Sequence, residues 1–192
     1  MSVAGKQGIL TINAGSSSIK FALFELNGGL ARSPSLSGQI DGIGADAKLV
    51  AKDAAGKRFP EVPLAAGIGH QPAFDELLRW LGDHNEGNWQ IKAVGHRVVH
   101  GGELYSQPMV LTPAVLAELE QFIVLAPLHQ PHNLAGIRAL SKLLPEVPQI
   151  ACFDTAFHRT QPRVAQLFAL PKALTAEGVK RYGFHGLSYE YI

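Results

Sequence analysis

The chain has 192 residues, enough to bury roughly 70% of the surface of the unfolded chain, so we expect one core, or one domain with part of another. Seventeen Lys and Arg residues against sixteen Asp and Glu residues give a formal charge of +1. This balance gives no net attraction for DNA or an anionic membrane. The expected partners are small molecules or protein, with no nucleic acid and no membrane.

Two features of the sequence concern the cellular compartment. The single cysteine, Cys152, sits in the apolar run 150–153 and cannot form an internal disulfide. The residues before Gly8 are too few for the apolar core of a signal peptide, and no run approaches the length of a membrane span. These features predict a soluble protein in a reducing cytoplasm.

The first third of the chain has strand-like patterning. Predicted strands of an antiparallel meander cover residues 8–14, 19–26, 35–43 and 48–62, the last with a turn at 54–56. The pattern then becomes α/β. A helix is predicted at 72–81, a buried strand at 91–100, helices at 112–126 and 134–144, and a strand at 148–153. Thr112 and Pro113 open the second helix, and Pro145 stops the third.

The most informative stretch is residues 13–20, Asn-Ala-Gly-Ser-Ser-Ser-Ile-Lys, between two predicted strands. Gly15 permits a tight turn, three serines offer donors to anionic oxygens, and Lys20 adds a positive charge. It is not a Walker A sequence. Its strand, turn, strand flanks resemble the phosphate-handling hairpin of the actin, Hsp70 and sugar-kinase class, and an ordinary serine-rich turn is the alternative.

The segment 95–102, Gly-His-Arg-Val-Val-His-Gly-Gly, ends a predicted strand. Alternation places Arg97 and Val99 on one face, and His96, Val98 and His100 on the other. A guanidinium beside a small apolar surface suits a short carboxylic acid. A structural ion pair of Arg97 is the alternative.

Three further segments carry candidate residues. The loop 126–133 holds His129 and His132, whose spacing lacks a third zinc ligand, so we expect them to shape the loop by hydrogen bonds. Asp154 follows a predicted central strand, where ligands of α/β sheets gather; capping the next turn is its alternative role. In the last segment, 181–189, His185 precedes a possible helix from Ser188 and could donate to phosphoryl oxygens.

These five segments, in this order, resemble the acetate kinase (acetokinase) family, from Ile9 to the end of the chain. The resemblance implies an α/β fold of the actin, Hsp70 and sugar-kinase (ribonuclease H-like) type, with antiparallel hairpins followed by alternating helices and strands. Butyrate kinases share a similar first loop but are not expected to carry the segment around Arg97.

The resemblance implies reversible transfer of the ATP γ-phosphoryl group to acetate, giving acetyl phosphate and ADP with Mg²⁺. It assigns the metal to Asn13. It assigns binding of the nucleotide phosphates to Ser16, Ser18 and Lys20. The substrate methyl group is assigned to Val99, Leu128 and Phe184, with His129 in support.

Arg97, Asp154 and His185 are the implied catalytic residues. Arg97 would bind the carboxylate or the moving phosphoryl group, and His185 would stabilise the equatorial oxygens. The family usually casts Asp154 as a proton donor or acceptor. A carboxylic acid with a pKa of about 4.3 is already ionised at pH 7 and needs no base, so Asp154 orienting Arg97 or metal-bound water is the alternative.

Two departures qualify the resemblance. Leu187 and Tyr189 stand where the family typically has Thr and a second His, so contacts under His185 are expected to differ. The sequence ends before any motif of the family's second domain. We therefore expect residues 1–154 to form the N-terminal domain, residues 155–192 to begin a truncated nucleotide-binding domain, and this chain to be inactive alone.

Other functions remain open at this stage. The chain could belong to a propionate kinase, or to a non-catalytic module that binds phosphate and carboxylate. A sugar or polyol kinase would need a base for its hydroxyl substrate, and the face of Arg97 and Val99 argues for an acid instead. By the resemblance, the complete protein would form a homodimer.

Overall fold

The computed structural model describes residues 5–84 and 89–192. Within them, the strands are β1 (Gln7–Ala14), β2 (Ser18–Glu25), β3 (Leu36–Asp41), β4 (Lys48–Asp53), β5 (Val62–Pro63), β6 (Gln90–Val98), β7 (Met109–Val110) and β8 (Gln149–Phe153). The α-helices are α1 (His70–Asp83), α2 (Pro113–Gln121), α3 (Gln130–Leu143), α4 (Lys172–Ala176) and α5 (Gly186–Tyr191). Short 3-10 helices occupy Phe122–Leu125, Phe157–Thr160 and Arg163–Gln166.

The strands form one sheet in the order β5-β4-β3-β2-β1-β6-β8-β7. The first five strands make the predicted antiparallel meander, and β1, β6 and β8 run parallel. This mixed α/β sheet confirms the predicted fold class. Because β1, β6 and β8 point the same way, their carboxyl ends lie at one edge, where ligands of such sheets gather.

One face of the sheet packs against helices α1 and α3. Alternate residues of β1, among them Leu10 and Ile12, point into this core, and Phe74 and Leu77 of α1 are fully buried there. Burying each such side chain contributes about 1.5–3 kcal/mol. Asn13 points to the opposite face because it alternates with the buried residues on either side of it.

Several predicted boundaries were wrong. The helix predicted at 112–126 ends as an α-helix at Gln121 and tightens into the 3-10 turn Phe122–Leu125. Helix α3 begins at Gln130, four residues earlier than predicted, so part of the expected loop 126–133 is helical. Pro131 lies in the first turn, where its missing N–H has no intrahelical partner to lose. The last helix begins at Gly186 rather than Ser188.

Two strands of only two residues each, β5 and β7, differ from the prediction. The predicted strand 48–62 breaks after Asp53, and β5 resumes at Val62. Strand β7 pairs with β8 at Met109 and Val110, a strand that we did not predict. The expectation about a signal peptide rests on the first residues, of which 1–4 lie outside the described residues. Across the described ranges, none of the helices combines the length and apolar character needed to cross a bilayer.

Candidate active site

Arg97 and Asp154 form an ion pair at the carboxyl ends of β6 and β8. Arg97 Nε donates to both carboxylate oxygens, at 3.1 and 3.0 Å, and Nη2 donates to Oδ2 at 2.5 Å. The Asp154 side chain is 2% exposed, whereas that of Arg97 is 32% exposed. The carboxylate therefore faces the guanidinium inside the protein, and part of the guanidinium reaches solvent. The carboxylate hydrogen bonds found within the described residues all come from Arg97, and the role of Asp154 as a cap stays a prediction.

Asn13 brings the end of β1 to the same guanidinium. Its Oδ1 accepts a hydrogen bond from Arg97 Nη1 at 3.2 Å, across 84 residues of sequence. A guanidinium has five N–H bonds, and the contacts found within the described residues use three of them. The remaining N–H bonds, one on each Nη, are available to an anionic ligand. The structural ion pair expected as the alternative is therefore present, and two N–H bonds of its guanidinium have no hydrogen-bond partner among the described residues.

The serine loop, residues 15–18, connects β1 to β2 beside Asn13. Its turn closes through the Gly15 N–H, which donates to the Ser18 carbonyl oxygen at 2.8 Å. The side chain of Ser16 is exposed and that of Ser18 is half-buried. Lys20 is exposed and lies opposite Asn13 in the antiparallel register. Cross-strand partners share a face, so Lys20 lies on the same side of the sheet as Asn13.

His70, at the start of α1, also contacts this loop, and sequence reasoning missed it. Its Nε2 carries the proton because it donates to the Gly15 carbonyl oxygen, at 2.7 Å. The ring stacks on His132 of α3, with 5.5 Å between ring centroids. Burial, the His70 ring and the His129 ring lower the pKa of His132. A lone histidine at a helix start gave no signal in the sequence.

Two buried amides in the first turn of α3 hold the segment after β6. Gln130 accepts from the His100 N–H at 3.2 Å and donates to the His100 carbonyl oxygen at 3.0 Å. Asn133 accepts from the Val99 N–H at 3.0 Å and donates to the Ala14 carbonyl oxygen at 2.8 Å. Both residues belong to a segment that the sequence marked, but their roles were not foreseen because that segment was read as a loop.

The histidines around Arg97 lie in the core rather than in the site. His96 Nε2 donates to Gln149 Oε1 at 2.7 Å, and burial lowers its pKa to about 4. Burial and the Lys180 ammonium lower the pKa of His100 to about 4. His100 Nδ1 accepts from the Gly102 N–H at 2.9 Å, which fixes the turn after the strand. His96 is buried beside the half-buried Arg97, as alternation predicts within β6, but the strand ends at Val98, so the faces predicted for Val99 and His100 do not apply, and both residues are buried.

A backbone hydrogen bond holds the segment of His185 next to Asp154. The Gly186 N–H donates to the Asp154 carbonyl oxygen at 2.8 Å, so the two segments meet directly. His185 itself is exposed and has a φ of +57°. This left-handed conformation is uncommon for a residue other than glycine, and such residues concentrate at functional sites. A Cβ at position 186 would lie 2.3 Å from the Asp154 carbonyl oxygen, which explains the glycine there.

The three residues assigned to the substrate methyl group occupy different environments. Val99 is 6% exposed, just beyond the end of β6. Phe184 is 39% exposed and its ring lies 5.9 Å from that of His100. Leu128 is 75% exposed in the turn before α3. Among the described contacts, none joins Leu128 to Arg97.

We expected His129 to shape its loop through hydrogen bonds. Its side chain is exposed, and the loop is fixed instead by its backbone N–H, which donates to the Ala126 carbonyl oxygen at 3.1 Å. His132 is the ring that packs, against His70.

The donor atoms here suit a hard cation better than a soft one. Asn13 offers an amide oxygen, a ligand of the kind that Mg²⁺ takes, and this ion draws many of its ligands from phosphates and water, whereas both Asp154 oxygens accept from Arg97. In residues 5–84 and 89–192, no group of three or more His, Cys, Asp or Glu side chains could hold a metal by itself. The residues present therefore fit an ion that arrives with a phosphate ligand.

A family model described as "Acetokinase family" matches residues 8–192. The chain belongs to the acetokinase family. It is 49% identical, over 185 residues, to an acetate kinase of Rhodopseudomonas palustris, covering 96% of this chain and 46% of that protein. An acetate kinase of Clostridium beijerinckii is 42% identical over 192 residues, with 96% and 46% covered. The match falls on the N-terminal half of such relatives, so the chain spans about half their length.

Solved structures of the family have the same fold. The crystal structure of Porphyromonas gingivalis acetate kinase gives a TM-score of 0.83 at 38% identity, over 97% of this chain and 46% of that one. A propionate kinase from Francisella tularensis gives 0.81 at 35% identity, over 96% and 47%.

Proposed function

We propose that this chain supplies the carboxylate side of a kinase that reversibly transfers the γ-phosphoryl group of ATP to acetate, giving acetyl phosphate and ADP. One observation carries the proposal: the ion pair of Arg97 and Asp154 stands beside Asn13 and the serine loop. An anion bound by Arg97 would lie next to the segment that suits nucleotide phosphates. Membership of the acetokinase family supports the same reaction.

Arg97 binds the acetate carboxylate, or the phosphoryl group as it moves, through the two N–H bonds that its contacts leave. Asp154 orients Arg97 and does not move a proton, because both of its oxygens already accept from the guanidinium. Acetate needs no base, since a carboxylic acid is ionised at pH 7. Catalysis then rests on positioning and on charge neutralisation, as is general for phosphoryl transfer.

On the nucleotide side, Ser16 and Ser18 donate to the phosphates, and Lys20 adds its charge from the same face of the sheet. Asn13 would hold Mg²⁺ through its amide oxygen. The ion, when bound, would neutralise phosphate charge. His185, exposed next to the Asp154 backbone, donates to the equatorial oxygens of the transferring group.

The acid is short. Val99 and Phe184 cover its methyl group, Leu128 closes the outer side, and His129 supports the turn that carries Leu128. We favour acetate over propionate because the curated relatives quoted above are acetate kinases. A propionate kinase of similar structure keeps the longer acid as the second candidate, and one methylene is worth only about 0.8 kcal/mol of burial.

We also propose a division of the chain at Asp154, with 1–154 as the N-terminal domain and 155–192 as the start of a nucleotide-binding domain. The last strand ends at Phe153, and exposed large apolar side chains concentrate beyond it, among them Val164, Phe168 and Tyr191. We expect a cytoplasmic enzyme that is homodimeric when complete.

The test joins this chain to the C-terminal half of the R. palustris acetate kinase, in place of that enzyme's own N-terminal half. Acyl phosphate formed from MgATP is trapped with hydroxylamine, with acetate, propionate and glycerol as substrates. We expect acetate to be used best, glycerol not at all, and Arg97→Ala to abolish activity. A folded chimera that binds MgATP without forming acyl phosphate would favour a non-catalytic module.

A further inference from the structure

Asn133 connects two peptide groups that belong to opposite sides of the site. Its Nδ2 donates to the Ala14 carbonyl oxygen at 2.8 Å, and its Oδ1 accepts from the Val99 N–H at 3.0 Å. The residue is 5% exposed. A side-chain amide has one acceptor and one donor group, and here each is directed to a different strand end. No role of this residue follows from the reaction as argued above.

The first of these peptide groups opens the serine loop. The Ala14 carbonyl and the Gly15 N–H form one rigid plane, and the Gly15 N–H donates to the Ser18 carbonyl oxygen. Asn133 therefore holds this plane from one side while the loop's own turn holds it from the other. The next carbonyl, that of Gly15, accepts from His70. The exit of β1 is thus fixed at two consecutive carbonyl groups.

The second peptide group lies between Arg97 and Asp154. The Val98 carbonyl and the Val99 N–H share a plane; the oxygen accepts from the Asp154 N–H at 3.0 Å, and the N–H donates to Asn133. The same plane thus follows Val98, one residue after Arg97, and is tied to the backbone of Asp154. Through one buried amide, the phosphate side is set relative to the ion pair.

We propose that Asn133 is a positioning residue that sets the serine loop in register with the pair Arg97 and Asp154. Asn133 touches neither acid nor nucleotide in this account, so it acts through the loop. The proposal rests on the proposed function for its meaning, but the placement of the loop can be measured without any substrate.

Gln130 provides a matched control. It is also a buried amide in the first turn of α3, and it holds the same segment through His100, but its other partner is the Leu119 carbonyl oxygen. Among the described hydrogen bonds, none joins Gln130 to Ala14. Asn133→Asp keeps the acceptor for Val99 and places a carboxylate oxygen against the Ala14 carbonyl. Gln130→Glu makes the same chemical change against the His100 carbonyl.

The experiment measures amide hydrogen exchange by NMR in the 192-residue chain without ligand, with amides of β3 reporting global unfolding. We expect Asn133→Asp to speed exchange of the Gly15 amide at least tenfold relative to β3, while Gln130→Glu changes it less than threefold. Gln130→Glu should instead speed exchange at Gly101, whose N–H shares a peptide with the His100 carbonyl. Equal effects of both variants on Gly15, or none from Asn133→Asp, would overturn the proposal.

Asn133→Ser keeps the proposal testable if the aspartate variant does not fold, because an uncharged, shorter side chain cannot reach both partners. It should also speed exchange at Gly15 tenfold. In the phosphotransfer assay, Asn133→Asp should raise KM for MgATP tenfold or more and lower kcat, with KM for acetate changed less than threefold. An equal rise in both KM values would overturn the positioning role and leave the proposed function standing; an inactive parent protein would overturn the function alone.

Discussion

Replacing Asp154 by Asn tests whether this carboxylate holds Arg97. The side chain is 2% exposed and accepts from Nε and Nη2 of Arg97, so the variant keeps the shape and removes the charge. Removing one partner of a buried pair costs about 3–5 kcal/mol. Because Arg97 is 32% exposed and can regain water, and Asn keeps one acceptor, we expect a smaller loss, about 2 kcal/mol in the free energy of unfolding.

The assay is urea denaturation at pH 7, with Glu61→Gln as the control. Glu61 pairs with Lys48 at 3.1 Å, but both side chains are about half exposed, at 52% and 51%, so the same chemical change there should cost less than about 0.5 kcal/mol. A loss of less than about 0.5 kcal/mol for Asp154→Asn, equal to that of the control, would refute the claim that the pair organises the site.

Three further changes probe other parts of the account. Burial lowers the pKa of His96 to about 4, so His96 is neutral in the folded and unfolded protein above pH 6.5. Below pH 6.5 the unfolded protein binds a proton at His96 that the folded protein does not, so the free energy of unfolding should fall by about 1.4 kcal/mol per pH unit towards pH 4. Denaturation of His96→Leu at several pH values should lack this fall, and identical pH profiles of the two proteins would contradict the prediction. Gly186→Ala should cost about 2 kcal/mol or more because its Cβ would meet the Asp154 carbonyl oxygen at 2.3 Å, whereas Gly29→Ala, where the described atoms leave space, should be nearly neutral by thermal unfolding. Leu128→Asn should leave stability unchanged, since Leu128 is 75% exposed, but raise KM for acetate in the hydroxamate assay; an unchanged KM would remove it from the substrate site.

Alternation of apolar residues predicted the first four strands because one face of each is buried. Residues such as Leu10 and Ile12 must point to the same side, and this leaves Asn13 facing the other. The two-residue strands were missed or displaced, since so short a segment has no period to read. Strand β7 exists because it pairs with β8, and β8 begins about 40 residues later in the sequence.

The start of α3 was misjudged for a local reason, and the error hid part of the site. Two prolines, Pro127 and Pro131, indicate a loop, yet Pro131 fits the first turn of a helix. Reading this segment as a loop left no way to see that Gln130 and Asn133 point into the protein from one helical turn. Their partners, Ala14 and His100, are set by tertiary packing.

The candidate site was found residue by residue, but its geometry was not. Arg97 and Asp154 stood out for their position at the end of a strand, and Asn13 was assigned through the family resemblance. Their meeting depends on the parallel pairing of β1, β6 and β8, which places those ends together. His70 gave no signal at all, because its contact with Gly15 depends on where α1 packs. From the sequence, only the resemblance to a family indicated that these segments belong to one site.

The central claim is that Arg97 serves phosphoryl transfer between a nucleotide and a short carboxylate. The reverse reaction tests it most directly: the chimera is given acetyl phosphate and MgADP, and ATP is measured by luciferase luminescence. The account predicts ATP formation that Arg97→Ala lowers at least a hundredfold while the protein stays folded. ATP formation unchanged by Arg97→Ala would contradict it.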